Sequence, residues 1–215
     1  MASFEIALFI IPAAVSFPGT TVPLHVFEPR YRVLIKESVR LGHRVAVCHA
    51  KKQIGQARKN QTAAEILNSN QDSYEPQRIF SAGPVEITDI TADGRLAVEI
   101  RMDGRYQIIE EIQTIPYRLA RCEKYEDEVS VQREALLKRR QAIDAALLKI
   151  SQTAGDDLDQ TLTSPEWMAM TPEDYSFRIF EFIRFEPDLM QQILEMQNPL
   201  FRLELLAKVL ATESE

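Results

Sequence analysis

Three prolines fall within the fifteen residues FPGTTVPLHVFEPRY, Phe17 to Tyr31. Apolar residues recur between them as they do in a β-strand. Proline fixes φ and removes a backbone donor, so this stretch cannot lie inside a sheet or a helix along its whole length. It must instead be a series of boundaries. Phe17, Pro18 and Gly19 suit a tight turn. Thr21 to Phe27, with Leu24 at its centre, reads as an extended segment, and Pro23 belongs on a sheet edge or at a bulge. Glu28 marks the change from strand to helix. Pro29 fits the first helical turn, where its missing N–H costs nothing. Glu28 is expected beside the unpaired N–H groups of that helix, neutralised by Arg30 or Arg105.

The flanking segments fit this reading. FEIALFII (4–11) is a nearly continuous apolar run, as in a buried strand. After Pro29, the positions Tyr31, Leu34, Ile35, Ser38 and Val39 share one helical face. Gly42 is placed to end the helix in a left-handed conformation. RVAVCHA (44–50) reads as the next strand. Residues 51–78 are polar and rich in Asn and Gln, with AAEIL (63–67) as a short helical hint, and read as a long surface connection. From residue 79 the pattern becomes strand-like. Asp93-Gly94 and Asp103-Gly104 are read as tight hairpin turns, with Leu96, Val98 and Ile100 alternating between them. An antiparallel meander with one buried face follows from this.

The second half changes period. Ser130 to about Thr153 reads as a long charged helix, with Val131, Ala135, Ile143, Leu147 and Ile150 apolar and Gly155 at its end. Thr171, Pro172 and Asp174 form a helix start. YSFRIFEFIRF, which follows, reads as a central core helix. EPDLMQQILEMQ is a further short helix. In NPLFRLELLAKVL, Asn198 is the cap, Pro199 the first helical residue, and Leu200, Leu203, Leu206 and Leu210 the apolar stripe. The expected division is a β-rich part over 1–124 and a bundle of about four helices over 125–215.

Charge and chemistry narrow the function. The net charge is −7. Residues 1–124 hold 16 Lys and Arg against 14 Asp and Glu, whereas residues 125–215 hold 9 against 18. An acidic second half disfavours a nucleic-acid-coating protein. Cys48 and Cys122 form no CxxC and read as buried reduced thiols. The apolar run Ile6 to Phe17 lacks a basic flank, carries Pro12, and is shorter than a membrane span, so a cytoplasmic location is expected. The seven glycines form neither GxxxxGK[ST] nor GxGxxG, and no HExxH occurs. His25, His43 and His49 lack positioned partners in the sequence, and Glu110-Glu111 and Asp156-Asp157 read as solvated charge. No catalytic residue, metal site or cofactor is therefore assigned. Two features could serve binding, one of them the 51–78 connection. SPEWMAMTPE (164–173) places Trp167, Met168 and Met170 between helices, where they form either an adaptable apolar contact surface or a plug into the bundle.

The opening segment through Phe17, Pro18, Gly19, Pro23, Leu24, Phe27, Glu28, Pro29, Arg30 and Tyr31 resembles the start of the Lon N-terminal domain, the substrate-binding part of ATP-dependent Lon proteases. GPVEITDITADGRLAVEIRMDGRYQIIEEIQTIPYRLARCE, including Gly104 and Arg105, is similar to that family's second motif, and NPLFRLELLAKVL to its last helix. The 51–78 segment is longer and more polar than the family's usual connection. The resemblance implies an α+β fold: a PUA-like β pseudo-barrel with an inserted helix, followed by a C-terminal α-helical bundle. It also implies the stand-alone bacterial form, ending at Glu215 without the ATPase and peptidase domains. The function it implies is non-catalytic binding of unfolded or peptide segments of other proteins, with proteolytic machinery as a further partner. Two alternatives stand beside it: an RNA-associated PUA-like protein, and a small-molecule-binding protein with a cleft between barrel and bundle.

Overall fold

A computed structural model describes residues 3–62, 65, 69–129, 132–154 and 158–213. All of the AAEIL hint but Glu65, together with Ser130, Val131, the side chain of Ile150, Gly155 and Asp156-Asp157, lies outside the described residues.

Strand β1 (Ser3–Ile11) is apolar on both faces because it serves two cores. It pairs in parallel with β3 (Arg44–Gly55), from Ile6 opposite Arg44 to Ile11 opposite His49. On its other side it pairs antiparallel with β9 (Arg118–Lys124). β9 continues to β8 (Gly104–Gln113), β8 to β5 (Ile79–Gly83), and β5 back to β3. The order β1-β9-β8-β5-β3 thus closes on itself, and β4 (Ser73–Pro76) is added along the extension of β3. Closure pairs the barrel strands on both sides and leaves the interior to be filled by side chains. Ile6, Leu8, Cys48, Phe80, Tyr106 and Cys122 fill it. Burial pushes the Cys122 thiol up to about 12 and the Cys48 thiol well above its usual value, so both stay protonated.

The alternate residues of β1 and β3 face outward into a second core. Ala7, Phe9, Val45 and Val47 meet α1 (Pro29–Leu41) and a three-stranded sheet, β2 (Thr21–Val26), β7 (Leu96–Arg101) and β6 (Val85–Ile90). In that sheet β2 is an edge, which is where Pro23 is tolerated. Phe17 to Thr20 form a turn, closed by Thr20 N–H donating to the Phe17 carbonyl at 3.3 Å, with Gly19 at φ 82°. On α1, Tyr31, Leu34, Ile35 and Ser38 are buried as expected, and the helix ends at Gly42. Val39 is 48% exposed, because it stands at the margin of the apolar face.

Three expectations need correction. Asp93-Gly94 does turn β6 into β7, with Gly94 at φ 80°. Asp103-Gly104 makes no hairpin, because β7 and β8 belong to different sheets. Asp103 instead accepts from Arg44 Nε at 2.9 Å and from the Tyr106 hydroxyl at 2.9 Å. The 51–78 connection is partly strand, since β3 runs on to Gly55 and β4 pairs with it. The aromatic run after Tyr175 is not one core helix, as described below.

The contacts divide the chain into two units, Met1–Tyr125 with Glu186–Gln191, and Glu126–Phe185 with Gln192–Glu215. The second unit is helical: α2 (Arg133–Ala154), α3 (Leu158–Leu162), α4 (Pro165–Ala169), α5 (Pro172–Arg178) and α7 (Pro199–Glu213). Helix α6 (Pro187–Glu195) begins among the residues grouped with the first unit. After Arg178 the backbone tightens to a 3₁₀ turn at Ile179–Glu181. Tyr175, Phe177, Ile179 and Phe180 are all buried, a spacing that no single α-helical face provides. Thr171 accepts from Asp174 N–H at 3.1 Å, and Asn198 Oδ1 accepts from Leu200 N–H at 3.0 Å, so both caps are in place. Leu200, Leu203, Leu206 and Leu210 are buried. Arg202 of α7 is fully buried and grips Asp127 with both terminal nitrogens, at 2.9 and 2.7 Å. Among the described residues, no helix is long and apolar enough to cross a membrane.

Candidate functional site

The proline-rich stretch forms one wall of a cavity of about 500 Å³ in the first unit. Phe9 to Pro12, at the end of β1, supply a second wall. Ala57, Gln71, Asp72 and Tyr74 line the remaining side, and the cavity stays open to solvent. Leu24, Phe27 and Tyr31 therefore border this space, while Tyr31 and Leu24 also pack into the second core. Tyr31 stacks on Phe9 with ring centroids 3.9 Å apart and donates to the Ile10 carbonyl at 3.0 Å. Burial holds its hydroxyl up to about 12, so it remains a donor.

The charged groups of this wall are spent on one another. Glu28 pairs with Arg30 at 2.8 Å and accepts from Gln71 N–H at 2.9 Å. Arg30 also donates to the Ser73 hydroxyl at 2.8 Å and the Asp72 carbonyl at 2.7 Å, and its own N–H donates to Asn70 Oδ1 at 3.0 Å. Asp72 accepts from Ala57 N–H at 2.7 Å and from Gln53 at 2.9 Å. These bonds strap residues 70–73 to the start of α1. Arg30 is thus the partner of Glu28; Arg105 lies instead over the Tyr125 ring at 5.0 Å. The Glu28 carboxylate does not cap α1, because its bonds go to Arg30 and Gln71, and Asn70 meets the Arg30 N–H in its place. His25 stands exposed at the rim. His49 is buried and accepts from Ala13 N–H at 3.1 Å, a structural use of its ring.

The other signature positions do not reach the cavity. Pro18 and Gly19 make the turn before β2, Pro23 lies exposed on the sheet edge, and Gly104 opens β8. The strap residues 70–73 carried no motif in the sequence; they are recognised only by what they touch.

In the second unit Trp167 is 3% exposed. Its ring meets Tyr175 and Phe182 edge-on, each at 5.3 Å. The Ser164 cap accepts from Trp167 N–H at 3.3 Å, and Arg140 donates to the carbonyls of Trp167 and Met170. Arg140 also lies over the Tyr175 ring, and the Tyr175 hydroxyl, bonded to Asp144 at 2.8 Å, is held far above its usual range by burial. Trp167 is accordingly the plug, while Met168 is 64% and Phe182 39% exposed. Met170 is half-buried. Phe182 was not singled out in the sequence, since its aromatic run reads there as core. Among the described residues, no group of three His, Cys, Asp or Glu is placed to hold a metal ion.

A family model described as the ATP-dependent protease La (LON) substrate-binding domain matches residues 5–212. No curated protein matches the chain. Among solved structures, the N-terminal domain of Mycobacterium avium complex Lon protease is similar, with a TM-score of 0.62 and 14% identity, over 96% of this chain and 98% of that one. A Lon N-terminal domain protein from Xanthomonas campestris gives a TM-score of 0.54 and 20% identity, over 96% and 97%. At these identities the likeness is one of fold.

Proposed function

The chain belongs to the ATP-dependent protease La (LON) substrate-binding domain family, and from that premise we propose that it is a non-catalytic module that holds apolar segments of other protein chains and acts as an adaptor or regulator of ATP-dependent proteolysis. The observation that carries this reading is the pairing of a buried anchor with exposed apolar groups in the second unit. Trp167 fixes Phe182, and Met168 projects beside it in sequence. Methionine adapts to many apolar shapes, and a rigid aromatic gives contact area at low entropic cost. A site of this kind tolerates varied sequences, as a binder of unfolded segments must. The sequence holds no phosphate-binding loop for ATP. The net charge of −7 works against nucleic acid as the partner. The buried, protonated thiols suit a reducing cytoplasm.

The test is binding of a permanently unfolded model protein, measured by fluorescence anisotropy. Native chain is expected to bind in the micromolar range. Met168→Asp and Phe182→Asp should each weaken binding about tenfold, the effect of about 1.4 kcal/mol, with the helical circular dichroism unchanged. Absence of binding by the native chain at tens of micromolar overturns the reading. Pull-down with the tagged chain separates the roles: co-purified protease supports regulation, and its absence removes the adaptor role.

A further inference from the structure

We propose that the cavity in the first unit is a binding site for a free small molecule with an uncharged, largely aromatic or aliphatic body. This is separate from the capture of protein segments in the second unit. Size is the first argument. The volume of about 500 Å³ lies within the range of small-molecule sites, which is roughly 300–1,000 Å³. A dry apolar cavity of about 150 Å³ takes a benzene ring, so this one accommodates about three rings.

The chemistry of the wall favours an uncharged occupant. Its apolar surface is made chiefly by Phe9, Ile11, Leu24, Phe27 and Tyr31. Its charged groups already hold partners within the protein: Glu28 is paired with Arg30, and Asp72 accepts hydrogen bonds from Ala57 N–H, Gln53 and the Tyr74 hydroxyl. An anionic ligand would lose its hydration and find the guanidinium of the wall, Arg30, already paired with Glu28. An uncharged one loses little and gains the apolar contact. Exposed His25 at the rim offers a hydrogen bond to a polar end of the molecule.

The third argument is how the space stays open. Residues 70–73 are strapped to the start of α1 by four hydrogen bonds with Glu28 and Arg30. Polar fastening at the edge holds the walls apart, where direct apolar contact between them would close the space. The polarity of residues 70–73 thereby acquires a purpose.

The experiment titrates the chain with N-phenyl-1-naphthylamine, an uncharged three-ring fluorophore, and with its 8-sulfonate, an anionic analogue of nearly the same shape. One saturable site for the amine, with the sulfonate at least tenfold weaker, is expected. Ala57→Trp places an indole in the cavity from the strap side without removing a core side chain. It should weaken amine binding at least tenfold while the melting temperature stays within about 2 °C. No saturable site in the native chain overturns the proposal, as does equal affinity for the two probes. Displacement of the amine by an unfolded protein would also overturn it, since the cavity would then belong to protein capture. If Ala57→Trp unfolds, the probe pair on the native chain still decides. Protein binding that fails in Met168→Asp while amine binding persists would keep the two sites distinct.

Discussion

Glu28 sits 13% exposed in its side chain and holds two partners, Arg30 and the backbone of Gln71. Removing it leaves the Arg30 guanidinium without its counter-charge and the Gln71 N–H without an acceptor. Such losses cost about 2 kcal/mol. Glu28→Ala is therefore expected to lower the melting temperature by several degrees; an unchanged melting curve would refute this account. Part of this arrangement was visible in the residue order. Arg30 lies two positions away, and a carboxylate beside proline at a strand-to-helix boundary invites such a partner. Gln71 was not visible, because it lies 43 residues further on and reaches Glu28 through its backbone, which every residue type shares.

Among the elements, two Asp-Gly pairs met different fates. Asp93-Gly94 joins two strands that pair with each other, whereas Asp103-Gly104 carries the chain from one sheet to the other. Dipeptide chemistry favours a bend at both places; only strand partnership tells a hairpin from a crossover. Gly83 marks the same crossover from the opposite side. A Cβ on it would stand 1.6 Å from the Arg101 carbonyl oxygen, because β7 leaves its sheet across this point. Arg101 N–H donates to the Pro84 carbonyl and Asp103 N–H to the Ala82 carbonyl, so the two backbones cannot separate without losing both bonds. Gly83→Ala should cost about 3 kcal/mol or more, read as a reduced urea midpoint. A midpoint unchanged from native would show that the crossover can shift freely. In the second unit, the caps at Thr171 and Asn198 were legible because they act within three residues. The 3₁₀ turn at Ile179–Glu181 was not, since it answers to packing on several sides.

At the scale of the molecule, titration of the buried tyrosines limits alkaline stability. Tyr31, Tyr106 and Tyr117 are each pushed up to about 12, chiefly by burial, with Asp103 adding at Tyr106 and Glu37 at Tyr117. Their folded values exceed the usual 10, so between pH 10 and 12 the unfolded chain releases protons that the folded chain retains. The stabilisation is full below pH 10 and is lost as pH rises toward 12. For Tyr31, 7% exposed, the loss is on the order of 2–3 kcal/mol. The melting temperature is expected to fall steeply from pH 9.5 to 11.5, and Tyr31→Phe should flatten that fall. A native profile level across this interval would contradict the assignment.

Local order in this chain was written in local chemistry. The prolines placed the turn, the edge strand and the start of α1; the caps and leucine stripe placed α7; the nearly continuous apolar run marked β1 as a buried strand. Those outcomes depend on torsional limits and on neighbours a few residues away. The closure of β1 onto both β3 and β9, the move of β8 into a different sheet from β7, and the cavity between the proline stretch and residues 70–73 depend on partners distant in the chain. No short pattern encodes them, because many pairings satisfy the same alternation of apolar residues. Folding selects the one in which both faces of β1 are covered and the charges around Glu28 are matched. That selection turned a stretch of boundary residues into the wall of a binding cavity.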